Sequence, residues 1–345
     1  MTEKPIIRVL MTGAGAPGGP GIILALQQNP EIQLLAADAN PEASGRFICP
    51  QFAQIPSAAD PTFVARLLEL CKTHAIDVVL PLVTRELFVL AAHKDEFEKQ
   101  GIRIVVSDPE HLPAVNNKGM LYNAMSAHGI PVPRYYIVNT IDEFKQAANA
   151  LGDLFCFKPT VSNGSRGFRV VTGGDDEASR LFTEKPDNTR ITLPQALALL
   201  EKQAFPQLLV SEYLPGEEYT IDTLFKHGKL SLILPRRRIA MREGISIRGE
   251  FVNNNEIINY IKEIAGIFPL HGPIGFQVKQ DAGGAFRILE INPRLQGTSV
   301  AAMGLGINLP YLAVMQEFNR EKEIMPVEIA WGLKFVRYYR EVFYR

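Results

Sequence analysis

The chain has 345 residues, 46% of them hydrophobic and 21% charged, with 36 Lys and Arg against 37 Asp and Glu. At a soft prior of about 150 residues per domain, that is room for two to three domains with full cores, which excludes disorder and a disulfide miniprotein. A net charge of -1 removes the broad basic footprint of a nucleic-acid binder or a polybasic membrane-surface protein. No apolar run approaches the roughly 18 residues of a membrane span, and residues 1–15 hold a short apolar strand without the long apolar core of a secretory leader. A cytoplasmic location is expected. Cys49, Cys71 and Cys156 are odd in number and lack metal-ligand spacing, so they read as packing residues.

In chain order, residues 6–11 read as a buried strand, 22–28 as a helix and 32–37 as a second strand. Asp60 and Pro61, a cap followed by a helix-opening proline, lead a helix through residue 74. A strand at 76–80, a helix at 84–99 and a strand at 102–106 complete an alternation that implies a parallel, doubly wound sheet over residues 1–115. Past Asn116 the pattern changes. A helix at 116–128, strands at 135–138, 155–158 and 168–171, a helix at 142–151 and a polar loop at 160–167 make a small mixed α+β module, residues 116–206. From 207 to 345, strand-like runs at 208–212, 218–225, 230–234, 275–279 and 286–291 suggest an antiparallel sheet. Helices near 256–268 and 309–318 interrupt it, and a late strand falls within 332–342. Arg236, Arg237 and Arg238 close a strand, followed by Arg242 and Arg248 in a glycine-containing loop.

Gly13, Gly15 and Gly18 match the dinucleotide-binding GxGxxG after a strand, and Asp38 ends the next strand. The mechanism needs free backbone N–H groups at a helix N-terminus. Pro17 and Pro20 each remove one, so a tight turn packing a strand against a helix competes with an NAD(P) site.

The strongest chemical signal is residues 275–279 followed by Glu290-Ile-Asn-Pro-Arg294. With side chains alternating along strands, Gln277, Glu290 and Asn292 can share a face, offering one carboxylate and two amide oxygens, hard donors suited to Mg²⁺ beside nucleotide phosphates. Arg294 would stand next to them as a cation for transferring phosphate oxygens.

These residues, together with Lys118 in Asn-Asn-Lys-Gly-Met, the Gly129 to Pro133 stop, Phe157-Lys158-Pro159 and Ser211 to Asp222, occur in the order and spacing of the ATP-grasp superfamily. From about residue 116 to 317 the chain resembles a carboxylate-amine ligase of the carbamoyl-phosphate-synthase-like type. The resemblance implies a Rossmann-like domain at 1–115, a small subdomain at 116–206 with phosphate-binding lysines and a lid, and a large subdomain at 207–345 with hinge, metal site and C-terminal strand. By the same resemblance, Lys118 and Lys158 hold ATP phosphates, and Ser162, Gly164, Ser165 and Gly167 form the lid over the γ-phosphate. Glu212, Tyr213 and Leu214 face adenine and Glu218 the ribose. Gln277, Glu290 and Asn292 bind two Mg²⁺ ions, which Mn²⁺ can replace, and Arg294 with Lys158 and Glu290 serves catalysis.

The implied reaction activates a small carboxylic acid as an acyl phosphate, releasing ADP, and passes the acyl group to an amine. Partners are then small molecules, with no nucleic acid and no membrane, and a homo-oligomer is compatible. An anionic acid approaching ATP needs cations, which nominates Arg238, Arg242 and Arg248, while Thr298 and Ser299 could donate to the acyl group. Failing the arginines, the acid site moves to the glycine loop and Thr84-Arg85-Glu86. An NAD(P)-dependent dehydrogenase and a non-catalytic ATP-binding protein remain the competing readings.

Overall fold

A computed structural model describes residues 5–344 except 163, 165, 174–188, 203, 324, 326 and 327. Strands β1 (Ile7–Thr12), β2 (Ile32–Asp38), β3 (Phe52–Gln54), β4 (Val78–Pro81) and β5 (Arg103–Ile104) form a parallel sheet in the order β3-β2-β1-β4-β5. Their runs of Val, Ile, Leu and Ala suit strands covered on both faces, and Val9, Leu10 and Met11 are fully buried. Helices α1 (Gly19–Gln27), α2 (Phe63–Thr73), α3 (Thr84–Ala92), α4 (Lys94–Glu98) and α5 (Leu112–Asn116) connect and follow these strands. The single helix expected over 84–99 is two, because His93 leaves helical backbone (φ -112°, ψ 14°) and its Nδ1 lies 2.8 Å from the Val89 carbonyl. Strand order reverses between β1 and β4, which opens a crevice at their carboxyl ends.

The next stretch contains α6 (Lys118–Ala127), β6 (Tyr135–Val138), α7 (Ile141–Leu151), β7 (Phe155–Pro159), β8 (Arg169–Thr172), β9 (Arg190–Thr192), α8 (Leu193–Leu200) and β10 (Leu208–Glu212). Its sheet runs β6-β10-β7-β8-β9, with β8 and β9 parallel and the other pairs antiparallel. Strand β10, expected to open the third segment, lies between β6 and β7 in this sheet. Its apolar Leu208, Leu209 and Val210 are buried there.

A third sheet joins β11 (Glu218–Lys226), β12 (Lys229–Arg242), β13 (Ile245–Phe251), β14 (Gly272–Gln280), β15 (Phe286–Asn292) and β16 (Lys334–Val336) in the order β15-β14-β11-β12-β13-β16. Helix α9 (Asn255–Ala265) follows β13 and α10 (Leu309–Gln316) follows β15. The arginine-bearing loop expected after residue 238 is instead a long hairpin. Arg242 pairs with Ile245 across a two-residue turn in which Glu243 and Gly244 both have positive φ, 52° and 76°. That mirror-image turn matches the right-handed twist of its strands. The late strand is confined to three residues.

Two compact units divide the chain, the first comprising Met1–Val115, Tyr219–Gln277 and Ile291–Arg345, the second Asn116–Glu218 and Val278–Glu290. In the first unit one apolar core joins Val9, Met11, Ile23 and Leu26 to Leu234, Leu305, Leu312 and Val314. In the second, Phe144 packs edge-on against Phe157 at 5.2 Å, among Phe155, Leu208 and Val210. Among the described residues no single helix is long and apolar enough to cross a membrane.

Candidate functional site

In the second unit, Asn117 caps α6, its side chain accepting from the amides of Gly119 and Met120. This starts the helix at Lys118 and turns a lysine inward. Lys118 is 4% exposed, donates from Nζ to the Ser162 carbonyl at 2.8 Å, and lies 3.4 Å from Glu290 Oε2. Lys158, at the end of β7, donates to the Leu289 carbonyl at 3.1 Å. Burial first, then the charge of Lys118, push its pKa down to about 8, while Glu290 and Glu218 oppose the shift. Lys118 thus pairs with Glu290, and Lys158 stands close enough to feel both Lys118 and the carboxylates Glu290 and Glu218.

The same unit holds other residues that the resemblance nominates. Glu212 ends β10 and accepts from the Arg134 amide at 2.8 Å through Oε1. Tyr213 follows, with Lys279 Nζ 4.9 Å from its ring centroid, and Leu214 is buried. Gly164 and Gly167 have φ of +63° and +77°, and a Cβ on Gly167 would meet Pro159 at 2.6 Å, so only glycine fits this bend. Ser162 Oγ contacts the Pro159 carbonyl at 3.4 Å. Ser165 lies outside the described residues.

In the first unit, Arg294 donates from Nε to Thr84 Oγ1 at 3.0 Å and from Nη1 to its neighbour's carbonyl at 2.9 Å. The Asn292 carbonyl accepts from the Arg294 amide at 2.7 Å. Gln277 Oε1 accepts from Arg238 Nη1 at 3.2 Å. Arg238 also donates from Nε to Ser246 Oγ at 3.1 Å and to the Gly244 carbonyl. Arg242 and Arg248 are exposed on the β12–β13 hairpin, Arg242 with its guanidinium 5.5 Å from the Tyr339 ring centroid.

Thr298 and Ser299 are buried in a different network. Arg236, fully buried between Phe251 and Phe335, pairs with Asp222 at 3.0 Å and donates to the carbonyl and hydroxyl of Thr298. Asp222 accepts from Ser299 at 2.8 Å and from Gln296 at 3.2 Å. Both hydroxyls are therefore engaged inside the protein. Sequence reading gave Asp222, the last residue of the Ser211 to Asp222 motif, no role of its own and passed over Gln296; an acid within the apolar strand β11 and an arginine within β12 were the available signal.

The glycine loop is closed on itself. The Gly15 amide donates to Asp38 Oδ2 at 2.8 Å, and those of Ala14, Ala16 and Gly19 bond to the carbonyls of Ala37, Gly13 and Ala16. A Cβ on Gly18 would meet Gly297 at 3.0 Å. The glycines permit close packing, and Asp38, the acid that would read a dinucleotide ribose, holds the loop.

At the crevice between β1 and β4, Thr12 donates to Glu86 Oε2 at 2.5 Å. Desolvation, with a smaller push from Asp38, raises the Glu86 pKa to about 7 against the Thr12 bond.

Residues 9–105 match the family model described as PylC-like, N-terminal domain, and residues 204–337 match ATP-grasp in the biosynthetic pathway with Ter operon. A formate-dependent phosphoribosylglycinamide formyltransferase of Bacteroides thetaiotaomicron is 25% identical over 169 residues, 49% of this chain and 41% of that protein. The carbamoyl phosphate synthase large chain of Archaeoglobus fulgidus is 22% identical over 251 residues, 72% of this chain and 23% of its own length. The chain thus spans less than half the length of these curated relatives. Among solved structures, N5-carboxyaminoimidazole synthetase from Staphylococcus aureus complexed with ADP superposes with a TM-score of 0.67 at 13% identity, covering 91% of this chain and 79% of that one. The biotin carboxylase domain of Hydrogenobacter thermophilus 2-oxoglutarate carboxylase, in complex with MgADP, ADP and bicarbonate, gives 0.63 at 15% identity, covering 89% and 68%. Residues 204–337 are thus ATP-grasp sequence and residues 9–105 a PylC-like N-terminal domain. ATP-grasp is an ATP-binding, ligase-type family.

Proposed function

We propose that this protein is an ATP-dependent ligase that activates a small carboxylic acid as an acyl phosphate, releases ADP and joins the acyl group to an amine. The observation that carries the reading is the pair of inward-facing lysines, Lys118 and Lys158, gathered around Glu290. One lysine would suffice for a structural ion pair; two leave a cationic pocket suited to polyphosphate. Glu212, Tyr213 and Leu214 would face the adenine, Glu218 the ribose, and Ser162, Gly164, Ser165 and Gly167 would cover the γ-phosphate. Glu290 and Asn292, two residues apart on β15, would hold Mg²⁺, which when bound neutralises charge on the phosphates.

The substrate carboxylate attacks the γ-phosphorus in line, forming its O–P bond as the bond to ADP breaks. Arg294 stabilises charge on the equatorial oxygens and Lys158 steadies the leaving group. The amine then attacks the acyl carbon and expels phosphate, with water excluded because the acyl phosphate would hydrolyse. Arg238, Arg242 and Arg248 would receive the acid's negative charge.

The test is a screen of acid and amine pairs for ADP release, with products weighed by mass spectrometry and hydroxylamine added to trap the acyl phosphate as a hydroxamate. ADP with a hydroxamate is expected; AMP with pyrophosphate overturns the acyl-phosphate route. Stabilisation by NAD(P) with none by Mg-ATP in a thermal melt would return the dehydrogenase reading.

A further inference from the structure

We propose that two copies of this chain join through strand β16 and the residues after it, pairing edge to edge and antiparallel about a two-fold axis at Tyr339.

Strand β16 ends its six-stranded sheet and has β13 on one side. The Leu333 carbonyl accepts from the Phe251 amide, and the Arg337 amide donates to the Ile247 carbonyl at 2.8 Å. Odd-numbered residues therefore turn their backbone groups toward β13. Those of Lys334, Val336 and Tyr338 alternate with them and face the other way, and among the described residues nothing pairs with them. Such an edge is a template for a further strand.

Lys334 and the shortness of β16 blunt the edge, but the residues that follow undo this. Val336, Tyr338, Tyr339, Val342, Phe343 and Tyr344 are 44 to 92% exposed, a concentration of apolar surface that marks a site of association. The segment is fastened to the first unit: Arg337 donates to the Pro17 carbonyl at 3.3 Å, and the Tyr344 ring stacks on Phe47 at 3.8 Å.

Charge selects both occupant and register. In a two-fold contact every facing pair occurs twice, with the copies exchanged. Centred on Tyr339, Arg337 faces the partner's Glu341, Val336 the partner's Val342, Phe335 the partner's Phe343 and Tyr338 the partner's Arg340. These are opposite charges, apolar pairs and a cation beside an aromatic ring, all of which favour cross-strand pairing. Centred on Arg337, that arginine would face its own copy and Lys334 would face Arg340, like charges that oppose pairing. A segment complementary to itself takes a second copy as its partner, and the contact closes at two chains.

The experiment is light scattering on the whole chain over a dilution series, with a melting curve for each variant. The native chain should show twice the chain mass and fall to one chain on dilution. Val336→Lys puts a charge in a facing apolar pair, leaves the bonds to β13 in place, and should be monomeric where the native chain is dimeric. Glu341→Arg, at an exposed residue beyond the strand, should do the same by setting like charges face to face, and it keeps the test open if Val336→Lys fails to fold. Arg337→Glu combined with Glu341→Arg should restore the dimer. A native chain that is monomeric at every concentration overturns the proposal, as does a dimer that either folded single variant leaves intact. Masses beyond two chains overturn the closed contact, and a charge-swapped variant with a native melting curve that stays monomeric overturns the register.

Discussion

The two units differ in how their cations are partnered. In the second, Lys118 pairs with Glu290, while Lys158 donates to the Leu289 carbonyl and gives up part of its proton affinity to burial and to the other lysine, with Glu290 and Glu218 opposing. In the first, the successive arginines each have a protein partner: Arg236 has Asp222, Arg237 has Glu250 at 2.7 Å, and Arg238 has Gln277, Ser246 and the Gly244 carbonyl. Positive charge clustered in sequence is therefore a poor guide to binding capacity. What counts is charge left over once the protein's own acceptors are served.

The largest expected effect tests the paired side of this contrast. Asp222→Ala strips Arg236 of its counter-ion in a site with no exposure, and such a broken buried pair costs about 3–5 kcal/mol. Urea unfolding of the variant should show that loss, and a change under about 1 kcal/mol would mean that Arg236 finds another acceptor.

Glu86 sharpens the comparison, being a carboxylate with no cation at ion-pair distance among the described residues. Its folded pKa of about 7 lies above the ordinary 4.5, so the folded state binds the proton more tightly than the unfolded chain. The stability this contributes is full below pH 4.5 and is lost as pH rises to about 7, by roughly 3 kcal/mol for that group. Glu86→Gln should flatten the profile, gaining stability at pH 8 and little at pH 4.5, as read from urea midpoints. An unchanged profile would locate the titration elsewhere.

On the surplus side, a polyanion that binds beside Lys158 should pull its pKa back up from about 8. Adenylyl imidodiphosphate binding at pH 8 should take up about half a proton from solution, and less at pH 6.5, where the lysine is already charged. Calorimetry in two buffers of different ionisation enthalpy measures this uptake. Lys158→Met should abolish it, and the same uptake in the variant would assign it to another group.

The smallest effect is expected on the exposed hairpin. Arg248→Ala should leave the melting temperature nearly unchanged and raise KM for the acid several-fold with kcat retained, the pattern of lost ground-state binding. Unchanged acid kinetics would move the acid's contacts toward Thr84-Arg85-Glu86.

Chemistry in a fixed order was legible in the sequence: the alternating strands and helices of the N-terminal segment, the mixed module, and the motifs carrying Lys118, Lys158 and Glu290. What escaped was decided across long sequence separations. Strand β10 was assigned to the wrong sheet because its apolar run suits any two neighbours, and only pairing with β6 and β7 chooses between them. The β12–β13 hairpin was read as a loop because its arginines look solvated, while Glu243 in a positive-φ turn position hides the turn. No spacing rule shows Arg238 turning the amide of Gln277, since the two are 39 positions apart.

The core that joins Val9, Met11, Ile23 and Leu26 to Leu305, Leu312 and Val314 also sets a schedule for synthesis. The Ala25 carbonyl receives its bond from the Asn308 side chain only after 283 further residues have been made. At about 5–20 residues per second, that interval lasts about 14 to 57 s. During it, the side of helix α1 that packs on α10 has no native cover. Residues near the front of the chain therefore depend on its last fifth to bury them, and a ribosome stalled between the two would hold a nascent chain that invites a chaperone or a protease.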